Sequence, residues 1–244
     1  MKVIKDIVYG NLDVKRQGLD IYLPDCAEAD VIIFFHGGGM VAGDKDGEPI
    51  TRLTEFGKVV VSANYRMYPE AKYPDFIEDA ALAVKWVKEH IGEYIKTNKI
   101  FVGGGSAGAY LTSMLAYDKR YLAKHGLKPT DINGFLIDSG QPTTHMNVLK
   151  ERGMDTRRIV VDEAAPIYYI DETIETFPNI MIVLTDNDWP CRLEQNLMFM
   201  KTLEMFGCPK ELITYKMIKG FRHGQYGHTD EYILAVRDFM DAAK

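Results

Sequence analysis

Ser106 stands between Gly104 and Gly108 in the run Gly103-Gly104-Gly105-Ser106-Ala107-Gly108. The apolar stretch Lys99-Ile100-Phe101-Val102 before it reads as a buried strand, and Tyr110 to Ala116 after it reads as a helix. A strand, a tight turn and a helix with Ser at the apex would lift a hydroxyl above the edge of a sheet. Such a turn needs glycine two residues before and two residues after the Ser, because a Cβ there would strike backbone. The hydroxyl would also lie at a helix N-terminus, where amide N–H groups can receive developing negative charge. Phosphate binding is the competing use of a Gly-rich turn. The Walker sequence Gly-Lys-Ser/Thr is absent, however. Gly103, Gly105 and Gly108 do match the dinucleotide spacing, but deep in the chain rather than after its first strand.

A second stretch completes the chemistry. Val31-Ile32-Ile33-Phe34-Phe35 is unbroken and β-rich, as a central strand buried on both faces would be. It delivers His36-Gly37-Gly38-Gly39, where backbone N–H groups can face a small anion with no side chain in the way. Paired with the Ser turn, this loop reads as part of an oxyanion hole made by the N–H groups of Gly38, Gly39 and Ala107. His36 precedes the loop and reads as its anchor rather than as a base. A Ser hydroxyl needs a base, and the base needs an orienting acid. Ile180 to Leu184 reads as a strand running into Thr185-Asp186-Asn187-Asp188, and Glu211 to Ile218 as the last strand, running into Lys219 to Gly224. Both ends face the rim that carries the Ser. The candidates are therefore Ser106 as nucleophile, His223 as base and Asp188 as orienting acid, with Asp186 as the alternative acid. His90, His125, His145 and His228 lie in or beside helices or in a long irregular segment, and are weaker bases. No HExxH or clustered carboxylates point to a metal, and nothing in this chemistry calls for a cofactor.

The elements needed to position these residues are those of one α/β domain over residues 1–244. Val3 to Tyr9 and Gly18 to Pro24 read as an antiparallel start to the sheet, and Val59 to Asn64 as a central strand. Glu48 to Lys58 reads as a helix. Ile77, Ala81, Val84, Val87 and Ile91 recur at helical spacing. Arg66 and Asp79 read as a structural pair across that junction. Asn133 to Asp138 is a further strand. The roughly forty residues after it are too many for a plain crossover. Residues 139–179 read as a crossover helix plus a small lid or pocket wall, the expected source of selectivity. The net charge of −6 offers no basic footprint for nucleic acid. No apolar run is long enough to span a membrane, and Met1 to Asp6 contains no leader-like apolar stretch. Three widely spaced Cys suit a reducing compartment, so the expectation is cytoplasmic. Oligomeric state, a homo-oligomer included, is left open.

The order Ser106, Asp188, His223 on alternating strands and helices, with His36-Gly37-Gly38-Gly39 and Gly104 to Gly108, resembles the α/β-hydrolase superfamily. Leu19 to Pro24, Asn64-Tyr65-Arg66, Tyr73-Pro74 and Asp79 narrow the resemblance to small carboxylesterases near hormone-sensitive lipase and the acetylxylan or feruloyl esterases. It implies a three-layer fold with a mostly parallel sheet, antiparallel N-terminal strands and helices on both faces. It also implies a cofactor-free serine esterase acting on a small-molecule ester, including acetylated or feruloylated sugars. Arylformamidases share the His-Gly-Gly start, and noncatalytic binding modules share the fold, so both stand as alternatives. The sequence departs from the hormone-sensitive-lipase pattern at Gly105, where that group usually carries Asp. It departs again near Thr185-Asp186, where the usual Gly is replaced. Only 35 residues precede His36 and they are spent on strands, so no helical N-terminal cap is expected and short acyl groups are favoured.

Overall fold

The computed structural model describes residues 1–243. Among them lies one eight-stranded sheet in the order β1-β2-β4-β3-β5-β6-β7-β8. The strands and α-helices follow in chain order: β1 (Lys2–Val8), α1 (Val14–Gln17), β2 (Gly18–Leu23), β3 (Val31–Phe35), β4 (Val59–Ala63), α2 (Asp75–His90), β5 (Ile100–Gly105), α3 (Ala107–Tyr117), α4 (Lys119–Ala123), β6 (Gly134–Asp138), α5 (Met146–Glu151), β7 (Ile180–Asn187), α6 (Arg192–Met205), β8 (Ile213–Arg222) and α7 (Asp230–Ala242). β1 pairs antiparallel with β2, and β2 with β4; every other pairing is parallel. Among the described residues no helix is long and apolar enough to cross a membrane.

The central strands explain the two cores. Each is apolar over most of its length, so alternate side chains enter opposite layers. Ile33, Phe35, Val61, Val102, Ile137 and Ile182 join the cluster beneath α2, α3 and α6. Ile32, Phe34, Val60, Phe101, Leu136 and Val183 join the cluster beneath α7. Each such side chain, fully buried, contributes about 1.5–3 kcal/mol relative to exposure. Arg66 and Asp79 do pair, with Nε 2.8 Å and Nη2 2.9 Å from the carboxylate, and Gln17 donates to the same group at 2.7 Å.

Three elements differ from the sequence reading. The segment expected as a helix over 48–58 is a 3₁₀ helix, Pro49–Phe56, stopped by Gly57 at φ 72°. Its buried side chains, Ile50 and Leu53, are three residues apart, which a three-residue turn stacks on one edge. The crossover between β6 and β7 holds only the short α5 and a 3₁₀ turn at Pro166–Tyr169. The rest of 139–179 is irregular; Ala164, Ala165 and Ile170, with Ile167 of that turn, are buried, and Tyr110 of α3 donates to the Ala164 carbonyl at 2.7 Å. Finally, β7 and β8 run further than expected, to Asn187 and Arg222.

Candidate active site

That extra length positions two of the candidates. Asn187 and Arg222 form the last rung between β7 and β8, after a bulge that follows Thr185. The next residue on each strand is Asp188 or His223, so both leave the sheet side by side. Gly105 and Asp138 form the last rung between β5 and β6. The next residues there are Ser106 and Ser139, and the Ser106 N–H donates to the Asp138 carbonyl at 2.8 Å. Four positions, three of them site candidates, therefore sit one residue past two rungs on a common rim.

Ser106 has φ 53° and ψ −106°, outside the regions L-residues ordinarily occupy. The flanking glycines permit it. A Cβ on Gly104 would lie 2.3 Å from the Gly108 carbonyl carbon, and one on Gly108 would lie 1.9 Å from the Phe35 carbonyl oxygen. His223 Nε2 lies 2.8 Å from Ser106 Oγ, and His223 Nδ1 lies 2.5 Å from Asp188 Oδ1. Asp186 is elsewhere: it is exposed and accepts the Gly220 N–H at 2.7 Å.

Asp188 is held by more than the imidazole. Its Oδ2 accepts from Ser139 Oγ at 2.8 Å, and its Oδ1 accepts from the Trp189 N–H at 2.6 Å. Burial pushes this carboxyl up, but the hydrogen bonds from His223, Ser139 and Trp189 outweigh it and hold the group below its ordinary value. Asp188 is therefore ionised at neutral pH. The Trp189 ring stacks on His223 with centroids 4.1 Å apart, and the Arg192 guanidinium lies 5.6 Å from the Trp189 centroid. Arg192 is buried, donates to the Ser139 carbonyl at 2.9 Å, and is lowered to about 10 by burial. Ser139, Trp189 and Arg192 escaped the sequence reading. Ser139 alone carried a signal, as one of four Ser in the chain and the residue after a strand whose end faces the rim.

The Gly37–Gly39 loop lines the same pocket, with Gly38 at φ 98° and Gly39 at φ 64°. Among the described residues, the N–H groups of Gly38, Gly39 and Ala107 have no protein acceptor. His36 is buried behind the loop, stacked on Tyr65 at 4.5 Å, with Nδ1 2.7 Å from the Gly37 carbonyl. His145 caps α5, accepting the Asn147 N–H; burial and then Arg192 lower it to about 3. His90 pairs with Glu93 at the surface.

A family model described as BD-FAE matches residues 19–140, half of the chain. The chain belongs to the BD-FAE family. The match takes in the Gly37–Gly39 loop and the Ser106 turn but ends before Asp188 and His223. Esterase LipI of Mycobacterium tuberculosis is 42% identical to this BD-FAE chain over 102 residues, 40% of the chain and 32% of LipI. A probable isoprenylcysteine alpha-carbonyl methylesterase (ICME) of Oryza sativa subsp. japonica is 25% identical over 239 residues, 88% of the chain and 57% of that protein. The chain thus spans about a third of LipI and little more than half of the rice relative. Among solved structures, a truncated carbohydrate esterase from gut microbiota superposes with a TM-score of 0.81 at 19% identity, covering 99% of this chain and 96% of that one. Esterase B of Lactobacillus rhamnosis gives 0.77 at 18%, covering 98% and 85%. Likeness at that identity is likeness of fold, and the fold is that of the α/β-hydrolases.

The pocket of this BD-FAE chain has a volume of about 560 Å³ and holds a second acidic feature. Asp138 is buried, and Tyr226 donates its hydroxyl to Asp138 Oδ1. Burial raises the Asp138 carboxyl to about 6. Half-buried Glu48 is raised to about 7, by burial first and by the charge of Asp138 second. The sign of the consequence follows from linkage. A carboxyl raised on folding binds more protons in the native state, so stability falls as pH rises from its unfolded value to its folded one. For Glu48 that window runs from 4.5 to about 7. Glu48→Gln is expected to flatten the fall in Tm between pH 4.5 and 8, leaving the two proteins closest at the acid end. Thermal unfolding followed across that range checks it, and parallel curves for variant and parent would show that Glu48 carries no such penalty.

Proposed function

We propose that this chain is a serine carboxylesterase that hydrolyses short-chain acyl esters through a covalent acyl-enzyme. One observation carries the reading: the imidazole of His223 lies within hydrogen-bond reach of both Ser106 Oγ and Asp188, beside a pocket lined by Gly38 and Gly39. In the proposed reaction His223 Nε2 takes the Ser106 proton as Oγ attacks the acyl carbon. Asp188 holds the proton on Nδ1 and stabilises the imidazolium. The oxyanion is received by the N–H groups of Gly38, Gly39 and Ala107, where one donor is worth roughly 3–4 kcal/mol of barrier. The imidazolium then protonates the leaving alcohol as the ester C–O bond breaks. Water, deprotonated by the same imidazole, attacks the acyl-enzyme and releases the acid.

The reading of chain length is supported by the pocket wall. Glu48, Asp138 and the Tyr232 hydroxyl border the space beside Gly105. A long alkyl chain laid against half-buried Glu48 would desolvate its carboxyl without a partner, a cost of about 1–3 kcal/mol. Acetyl and butyryl groups reach less of that wall. p-Nitrophenyl acetate and butyrate are therefore expected to show higher kcat/KM than the laurate, without added metal. A chain-length series measures this, and a preference for laurate would refute the short-chain reading while leaving the nucleophile untouched.

A further inference from the structure

Beside Ser106 the pocket wall carries two carboxyls, Glu48 and Asp138, and the phenol of Tyr232. The Glu48 carboxyl makes no hydrogen bond or ion pair in the protein, and the charge acting on it is that of Asp138. Asp138 spends Oδ1 on Tyr226, while its Oδ2 faces the space left by Gly105: a Cβ at 105 would lie 3.8 Å from it. Tyr232 is 1% exposed and lines the same pocket; its hydroxyl makes no hydrogen bond of ordinary geometry and acts on Asp138 as a distant donor. Three oxygen-bearing side chains from three different elements thus converge on one wall, two of them acidic.

Apart from the His223 imidazole, which acts on Asp138, no basic side chain acts on either carboxyl. The groups acting on Asp138 are Tyr226, Tyr232, His223 and Asp188. Lys150 belongs to the pocket lining, but its ammonium is exposed over the Tyr68 ring, 5.7 Å from the centroid, and it acts on neither carboxyl. Gly105 matters here as well. A carboxylate side chain at that position would fill the opening and add a third like charge.

We propose that Glu48, Asp138 and Tyr232 form a subsite for a primary ammonium group carried by the substrate or by a competing ligand. Ionised carboxylates only accept hydrogen bonds, and an ammonium only donates them, three at a time, so the two are matched where a carboxylate or carbonyl would be rejected. A bound cation would also offset the charge of Asp138, which adds to burial in raising the Glu48 carboxyl. The substrate class is then an ester whose acyl or alcohol part bears an amine. That last step rests on Ser106 being the nucleophile; the binding of the cation does not.

Calorimetric titration of n-butylammonium chloride into the full chain, with n-butanol as the neutral isostere, tests the subsite. The same titrations on Ser106→Ala separate binding from turnover. Expected are saturable binding of the cation to both proteins, butanol weaker by about tenfold or more, and a similar loss for Glu48→Gln. Repeating the titration near pH 6.5 in buffers of different ionisation enthalpy should show proton release, which a purely structural role for Glu48 would not give. Because Asp138 also receives Tyr226, Asp138→Asn is a folding risk, and half-exposed Glu48 is the deciding position. Butanol binding as tightly as the cation would assign the wall to hydroxyl groups and overturn the proposal. Absence of saturable binding to the folded protein, or binding with no proton release, would overturn it too. Failure of ester hydrolysis leaves these binding readouts intact, so the two readings fail separately.

Discussion

Replacing Ser106 with Ala is expected to reduce turnover of p-nitrophenyl acetate by at least about 10⁴-fold while leaving a folded protein. The size of the loss comes from the route and not from binding. Without Oγ no acyl-enzyme forms, and what remains is water attack helped by the free N–H groups around Gly38 and Gly39. Alanine keeps the Cβ, so packing at the turn is unchanged. A second substitution separates strain from chemistry. The φ of 53° and ψ of −106° at Ser106 cost on the order of 1–3 kcal/mol for a residue with a side chain. Ser106→Gly relieves that and returns some of it as chain entropy, so Tm should rise by about 2–4 °C while activity stays absent. Initial rates together with thermal unfolding read both outcomes. An organophosphorus ester should add mass to the Ser106 peptide of the parent only. Unchanged turnover in Ser106→Ala would rule out the nucleophile, and a lower Tm in Ser106→Gly would rule out stored strain.

The Ser106 turn was readable in the sequence because its requirements are local. Gly104 and Gly108 are compelled by atoms within a few residues of them or on the adjoining strand, and glycine is the one residue that satisfies such contacts. The two-faced apolar strands were readable for a similar reason: burial on both sides removes the polar alternation. The choice between Asp186 and Asp188 was not local. It depends on a bulge in β7 and on where the pairing with β8 ends, and pairing register is a property of two segments at once. Ser139 and Tyr226 were hidden for the same reason. Their hydroxyls lie 2.6 Å apart in space and 87 residues apart in sequence, and each acts on a carboxylate of another element. Glu48 read as the start of a helix, and its burial in the pocket wall, with the charge of Asp138 second, gives it a perturbed proton affinity. Residues 139–179 carry no sustained period, since most of their backbone is irregular, so pattern could place neither α5 nor the wall it contributes to the pocket.

Asp188→Asn is expected to produce a loss of about 10⁴-fold in kcat with little change in fold, close to that of losing the nucleophile itself. The carboxylate accepts from three donors: His223 Nδ1–H, Ser139 Oγ and the Trp189 N–H. Asparagine reproduces the shape but offers one oxygen and one NH₂. If the oxygen keeps the two shorter contacts on the Oδ1 side, the NH₂ faces the Ser139 hydroxyl, which can turn to accept, and the imidazole is left facing an amide with no charge to stabilise its protonated form. If the amide is reversed, its NH₂ meets the Trp189 N–H and His223 Nδ1, and the ring must move its proton to Nε2. That proton then points at Ser106 Oγ, where an acceptor is needed. The first arrangement weakens the base and the second removes it, and both spare the backbone. Asp186→Asn is the internal control, because that side chain accepts from Gly220 and not from the imidazole; its kcat should stay within about threefold of the parent. Ser139→Ala, which strips one donor from Asp188, should fall between the two and narrow the pH range of activity from the acid side, since the carboxylate loses part of what holds it ionised against burial. The three pH–rate profiles taken together decide the matter: a loss in Asp186→Asn equal to that in Asp188→Asn would mean that the alignment of His223 depends on the whole β7 turn rather than on one carboxylate.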